Sequence, residues 1–250
     1  MVELLTYSQV TADQGFTRLR LNGRPSEEQR RVHQEKNLMA KIRGTTEILG
    51  YPDLPPDYRQ ERENVMQEAQ VKLNTLGVAQ QRTVFEHLDL IPIIQRQIDA
   101  VRSLLELNEI ISVIKLERLP NVYANPPIFE DVLSNMLHNA IDVMKVTEDE
   151  ADQPYNPIDD MRKRGVKKLF IGSLLISNAN VLIDVKDNGS GMSSEQIREI
   201  AKVGYTTKAA TGGTGLGVPI IIDGTEMLGG EVWAWSEMGK GSIFRLIIPI

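Results

Sequence analysis

The chain has 250 residues, 41% hydrophobic and 25% charged, with a net charge of −6 and no cysteine. That composition predicts a soluble globular protein of one large or two small domains; it offers no basic footprint for nucleic acid and excludes disulfides and thiolate metal sites. No apolar run approaches the ~18 residues of a membrane span, and MVELLTYSQVTADQG at the start lacks the basic and apolar segments of a signal peptide, so a cytoplasmic protein is expected, with any sensing part on another chain or outside this sequence.

Residues 1–24 are weakly patterned and read as a tail or linker. Pro25-Ser26 opens a charged, helix-favouring stretch with Ser26 as N-cap. Met39, Ile42, Thr46 and Leu49 recur at alternating steps of three and four, the spacing of a bundle seam. YPDLPPD at 51–57 breaks the helix, and a second runs from about Pro56 to about Arg82 with Met66, Ala69, Leu73 and Leu76 on a similar seam. Such a hairpin buries its stripes poorly alone. Either it dimerises into a four-helix bundle, or it packs on its own second domain. The expected division is a tail at 1–24, a helical hairpin at 25–83 and a second domain at 84–250.

From Phe85 the texture is mixed. Strands are expected at 85–90, 109–116, 121–124, 167–176, 181–187, 231–237 and 242–250, and helices at 91–107, 127–146, 193–203 and 214–228. The order predicts an α+β domain whose mixed sheet is covered by helices on one face. The polar, proline-containing segment 147–165 reads as a surface insertion, either a solvated loop or a docking surface.

The chemistry concentrates in the last third. A helix SNMLHNAIDVM (134–144) carries Asn135 and Asn139 one turn apart, so both amides point the same way and need partners if buried. Three glycine boxes follow: DNGSGM (187–192), GGTGLG (212–217) and GKGSIF (239–244). Each alone is weak, since Asn188-Gly189 between apolar runs is also a common hairpin turn. GGTGLG runs into an apolar helix whose N-terminal N–H groups and dipole suit phosphate. Asp187 ends a β-rich run, where a carboxylate can accept from the exocyclic amine of adenine, whereas guanine would face it with a carbonyl.

In this order the four elements resemble the Bergerat ATP-binding fold of the gyrase, Hsp90, histidine kinase and MutL superfamily, and among its members the catalytic domain of sensor histidine kinases. The resemblance covers roughly 27–250 and implies an α/β sandwich that binds ATP with Mg²⁺. By it, Asn139 ligands Mg²⁺, Asn135 sits near the phosphates, Asp187 reads adenine, and Gly189 and Gly191 let backbone approach the base. Gly213, Thr214, Gly215, Leu216 and Gly217 form the phosphate loop, and 204–213 is an ATP lid whose Thr207 and Lys208 meet phosphate. The last box, with Gly239 and Gly241, shapes a turn. Gyrase, Hsp90 and MutL carry a glutamate general base where this chain has Asn135, which cannot take a proton at neutral pH; that argues against dedicated hydrolysis and for transfer to imidazole. Asp142 stands where a basic residue is frequent in the kinases.

There are three histidines. His87 falls in an expected strand and His138 inside the asparagine helix. His33 lies one position off the first seam and should face solvent. HQEKNLMAKIRGTTEIL (33–49) resembles the kinase phosphoacceptor box, with Asn37 four residues after the histidine and Ile42 nine after. Gln34 replaces the usual acid and Leu38 the usual proline. A glutamine accepts the ring N–H bond but lacks the charge that stabilises imidazolium. The resemblance implies a homodimer through the hairpin, autophosphorylation of His33 and transfer to an aspartate of a response-regulator receiver domain. The alternatives are a nucleotide-binding scaffold that does not phosphorylate itself and a serine kinase of the same fold.

Overall fold

A computed structural model describes residues 15–21, 85–144, 165–176, 179–206 and 215–250, together with isolated helical positions at 49, 56, 59, 60, 63, 64, 66 and 67. His33, Gln34, Asn37, Thr207, Lys208, Gly213, Thr214 and the 147–164 stretch lie outside them. The isolated positions fall inside the two expected hairpin helices. Arg59 Nη1 donates to the Leu49 carbonyl at 3.2 Å, bringing the chain back on itself across the expected break.

Eight strands and four helices follow in chain order among the described residues: β1 (Thr17–Leu19), β2 (Glu86–Leu88), α1 (Leu90–Leu107), β3 (Ile111–Leu116), β4 (Val122–Ala124), α2 (Pro126–Asp142), β5 (Lys168–Ile176), β6 (Asn180–Asp187), α3 (Ser194–Glu199), α4 (Gly217–Met227), β7 (Glu231–Glu237) and β8 (Gly241–Pro249). Six strands form one sheet in the order β1-β7-β8-β6-β5-β3, and β2 pairs with β4 alone. β3 and β5 are parallel; every other pair is antiparallel.

Local chemistry sets the helix starts. Asp89 caps α1 by accepting from the Ile91 N–H, and Asn125 caps α2 by accepting from Ile128, with Pro126 at the first helical position, where no N–H is needed. Ser193 and Gln196 close a reciprocal capping box on α3. In α1, Ile94, Ile98, Val101 and Leu105 lie at steps of four, three and four, and all are buried. In β6, Val181, Ile183 and Val185 alternate onto the inner face of the sheet, where α1, α2 and α4 cover them in one core. The same alternation carries Asp187 to that inner face, at the strand's end. The outer face holds Asp184, opposite Arg245 of β8. Their side chains form a two-pronged ion pair with both N–O distances 2.7 Å.

The expected elements from 85 onward are all present, with ends shifted by a few residues. The beginning of the chain differs. Residues 17–19, expected within a tail or linker, form β1, paired antiparallel with Val232–Ala234 of β7. Without it β7 would present a row of unpaired backbone groups. Leu19 enters the domain core and Phe16 is buried beside it in sequence. The sheet-bearing domain is therefore assembled from both sides of the 22–84 stretch.

Candidate nucleotide site

α2 turns Asn135 and Asn139 toward the start of α4. Asn135 is buried, and its Nδ2 donates to the Asp131 carbonyl at 2.7 Å. Asn139 is the exception to the rule that buried polar atoms are paired: its Nδ2 is buried and finds no hydrogen-bond partner among the described residues. A methyl built on Gly217, the first residue of α4, would lie 3.0 Å from Asn139 Oδ1, 3.3 Å from its Nδ2 and 3.6 Å from Asn135 Oδ1. Both amides therefore face the N-terminus of α4 across a gap that glycine leaves open. No side chain among the described residues caps α4, and no acidic residue occupies its first turn. An uncapped N-terminus with its dipole and two amides converging on it suits an anion.

Leu216 precedes α4 and is buried. Gly215, at φ +64°, packs on Gly204: a methyl there would sit 2.3 Å from the Gly204 carbonyl carbon, and the Gly204 N–H donates to the Gly215 carbonyl at 3.1 Å. That contact ties the residues just after α3 to the start of α4, on either side of the expected lid.

Asp187 is 3% exposed, and its Oδ1 accepts from the Gly189 N–H at 2.8 Å. Gly189 abuts the end of α2: a methyl on it would lie 2.8 Å from Val143 Cγ2. Asp187, Gly189, Val143, Asn139 and Gly217 thus run in succession along one edge of the helical layer. Asn188 points the other way. It accepts from the Lys168 N–H and donates to the Val166 carbonyl, fastening the box to the start of β5.

The first and third glycine boxes interlock. Gly191, at φ +66°, leaves no room for a side chain, since a methyl would fall 2.0 Å from the Glu237 carbonyl oxygen. A methyl on Gly241 would fall 2.1 Å from the Asp187 carbonyl oxygen. The close approach at Gly191 is thus to the protein's own backbone. Ser236 completes the join: its Oγ accepts from the Met192 N–H at 2.7 Å and donates to the Gly241 carbonyl at 2.9 Å, with Ser242 Oγ also at 2.9 Å. Ser242 pairs with Asp187 in register and is buried. Sequence reasoning passed over both serines, although Ser242 stands inside GKGSIF.

His138 points back along α2, donating from Nδ1 to the Ser134 carbonyl at 2.8 Å, and His87 packs on Tyr123 with ring centroids 5.3 Å apart. Among the described residues no three His, Cys, Asp or Glu side chains gather as a metal site. Any divalent cation here would be held by an amide oxygen and by oxygens that the nucleotide brings, the pattern usual for Mg²⁺. An oxygen-only donor set, with Asn139 Oδ1 at the start of α4, fits that group, while the buried Nδ2 of Asn139, without a partner among the described residues, calls for an acceptor oxygen such as the nucleotide brings.

Residues 124–250 match the model of the "Histidine kinase-, DNA gyrase B-, and HSP90-like ATPase" family. Sporulation kinase E of Bacillus subtilis is 28% identical over 171 residues, 68% of this chain and 20% of that protein. The sensor histidine kinase ZraS of Escherichia coli K12 is 31% identical over 134 residues, 54% of this chain and 24% of its own length. The chain thus spans about a fifth to a quarter of these curated relatives. The mycobacterial sensor histidine kinase MprB shares the fold, with a TM-score of 0.52 at 16% identity over 66% of this chain and 97% of that one. The asparagine helix and all three glycine boxes fall inside the matched residues, and the chain belongs to the histidine kinase-, DNA gyrase B- and HSP90-like ATPase family.

Proposed function

We propose that this chain is the transmitter core of a sensor histidine kinase. It binds Mg²⁺-ATP at Asn135, Asn139, Asp187 and the start of α4, phosphorylates His33, and passes the phosphoryl group to an aspartate of a response-regulator receiver domain. The helical hairpin of residues 25–83 carries His33 and joins two copies into a dimer. A sensing part lies on another chain or beyond this sequence. No helix among the described residues is long and apolar enough to cross a membrane, and the reaction, which draws on ATP, belongs on the cytoplasmic side.

The observation that carries this reading is the Asn139 Nδ2, buried without a hydrogen-bond partner among the described residues beside the N-terminus of α4. That donor needs an anionic oxygen, which a triphosphate supplies, and Asn139 Oδ1 is a hard ligand for Mg²⁺. Bound there, Mg²⁺ would neutralise charge on the triphosphate. The residues of the chain do the rest. Asp187 accepts from the adenine amine while Gly189 holds its other side. Asn135 stands where a hydrolytic base would be and leaves water unactivated, so imidazole is the nucleophile. A ring nitrogen of His33 forms the N–P bond as the bond from the γ-phosphorus to its bridging oxygen breaks; ADP departs with the electron pair and the ring loses its proton to solvent. Thr207 and Lys208 of the lid segment, and Gly213 and Thr214 of the phosphate loop, serve the phosphates.

Incubation with γ-labelled ATP followed by mapping of the label tests this. Acid-labile label on His33, lost in His33→Ala with ATP affinity retained, is expected. Because Gln34 lacks the usual charge, Gln34→Glu should raise the rate about tenfold, the effect of ~1.4 kcal/mol in the transition state. Gln34 is also what favours a scaffold reading, and ATP binding with no label on any residue would establish it. Acid-stable label on serine would point to a serine kinase instead.

A further inference from the structure

The two edges of the sheet are finished differently. β1 closes one along β7, whereas β3 stands at the other with β5 alone beside it among the described residues. We infer that β3 is a docking edge. It takes up an extended segment of another protein as one more strand, apolar at alternate positions and carrying Asp or Glu at its flanks.

Backbone chemistry opens this edge. Ile111 donates its N–H to the Lys167 carbonyl at 2.9 Å, and Glu117 donates to the Ser173 carbonyl at 3.3 Å, so the odd-numbered residues turn their backbone groups toward β5. Alternation then aims the N–H and C=O groups of Ser112, Ile114 and Leu116 away from the sheet. Edge strands are normally blunted by proline, a bulge, short length or charge. β3 runs six residues, ISVIKL, with no proline and one charge, Lys115. Its apolar side chains are bare as well: Ile111 is 53% exposed, Val113 38% and Ile114 46%. Leu107 and Val166, close to where β3 starts, are exposed too, so five of the nine large apolar side chains exposed among the described residues gather at this corner. Single exposed apolar residues are ordinary, but a gathering of them marks an interaction surface.

The outer face beside the edge defines the partner's chemistry. Ser112 and Ile114 pair with Leu169 and Ile171, which enter the core. Ile111, Val113 and Lys115 therefore lie on the outer face, in register with Lys168, Phe170 and Gly172. A methyl on Gly172 would fall 2.8 Å from Phe170 Cε1. The ring thus lies over the glycine and extends an apolar shelf inward from Val113. Lys115, Lys168 and Lys186 rim this shelf, all exposed and none in an ion pair among the described residues. The one acid on the outer face of β3, β5 and β6 is Asp184, whose carboxylate Arg245 holds. On a chain of net charge −6 this rim is a local exception. It favours carboxylates from a partner, the shelf favours apolar side chains between them, and the free backbone groups require an extended chain. A second copy added edge to edge would bring the same lysines against these, like charge against like.

A fluorescein-labelled peptide, Glu-Thr-Val-Thr-Val-Thr-Glu, places two valines and two terminal glutamates on one face of an extended chain and serves as the probe. Its anisotropy with the full-length protein should saturate, with a Kd below about 1 mM. The same peptide methylated on the backbone nitrogens of its valines and threonines should bind at least about tenfold more weakly, because it cannot donate to the edge. Ser112→Pro removes one N–H that faces away from β5, at a place where a strand tolerates proline, and should weaken the probe about fivefold with ATP affinity parental. Lys115→Glu with Lys168→Glu should reverse the preference, favouring a peptide with lysine in place of each glutamate. A parent that does not bind the probe overturns the inference, and so does equal binding of the methylated peptide, which needs no variant of the protein. Self-association of the parent that rises with concentration and is abolished by Ser112→Pro would give the edge to a second copy and overturn the partner named here.

Discussion

Gly217→Ala separates the stability of the site from its use. The new methyl enters the gap between α4 and the two amides, 3.0 Å from Asn139 Oδ1 and 3.3 Å from Nδ2. The neighbouring group is the far end of a side chain whose nitrogen has no hydrogen-bond partner among the described residues, so it yields by a few tenths of an ångström with little strain. Alanine meanwhile favours helix over glycine by up to about 1 kcal/mol, less in a first turn. The two effects should nearly cancel, leaving the thermal midpoint within a few degrees of the parent's. Nucleotide binding has no such offset. Displacing Asn139 and filling the approach to the α4 amides removes at least one hydrogen bond to a charged oxygen, about 1.5–3 kcal/mol, or roughly 10- to 150-fold in Kd. Calorimetric titration with Mg²⁺-ATP beside a thermal melt measures both quantities. Unchanged affinity in a stable Gly217→Ala protein would refute the placement of phosphate at this end of α4. A large loss of stability would show instead that Gly217 serves packing alone.

Asp187→Asn should keep the bond to the Gly189 N–H while presenting an amide donor or a neutral acceptor to adenine, weakening ATP by about 1–3 kcal/mol; a titration showing parental affinity would remove the adenine assignment. Gly224→Ala should cost stability, because its methyl would lie 2.6 Å from Val132 Cγ2 where α4 crosses α2; overpacking of about 1–3 kcal/mol exceeds the propensity gain, and a midpoint at or above the parent's would contradict it. Ile42→Glu, on the expected seam of the hairpin, should yield monomers by light scattering, since an unpaired charge is costly to bury; a parent that is itself monomeric would end the dimer proposal.

Legibility followed the range of the interactions. The strands from β3 to β8 and the helix α1 were expected from runs of strand- or helix-favouring residues, each written within one element. The glycine boxes were legible as boxes for the same reason. What each glycine meets was not: Gly191 answers to Glu237, Gly215 to Gly204, and Gly224 to Val132, contacts that no local spacing encodes. β1 was missed entirely. Thr17-Arg18-Leu19 is too short for its pattern to mark a strand, and its partner strand lies more than two hundred residues later. The ion pair of Asp184 with Arg245 was hidden likewise, since only the register of β6 against β8 places the two side chains opposite each other.

The interlock of Gly191 with Glu237 and of Gly241 with Asp187 bears on how this sequence can drift. Two carbonyl groups, each about fifty residues from the glycine it meets, occupy the volume a side chain would need. Neither glycine can be exchanged while the other turn keeps its path, so tolerated change must come in concert: a longer side chain at 191 requires a redrawn β7–β8 turn, and one at 241 requires a redrawn loop after β6. Libraries that randomise these boxes one at a time should return glycine at both positions, whereas libraries that vary the loop and the turn together are the ones able to find a second solution.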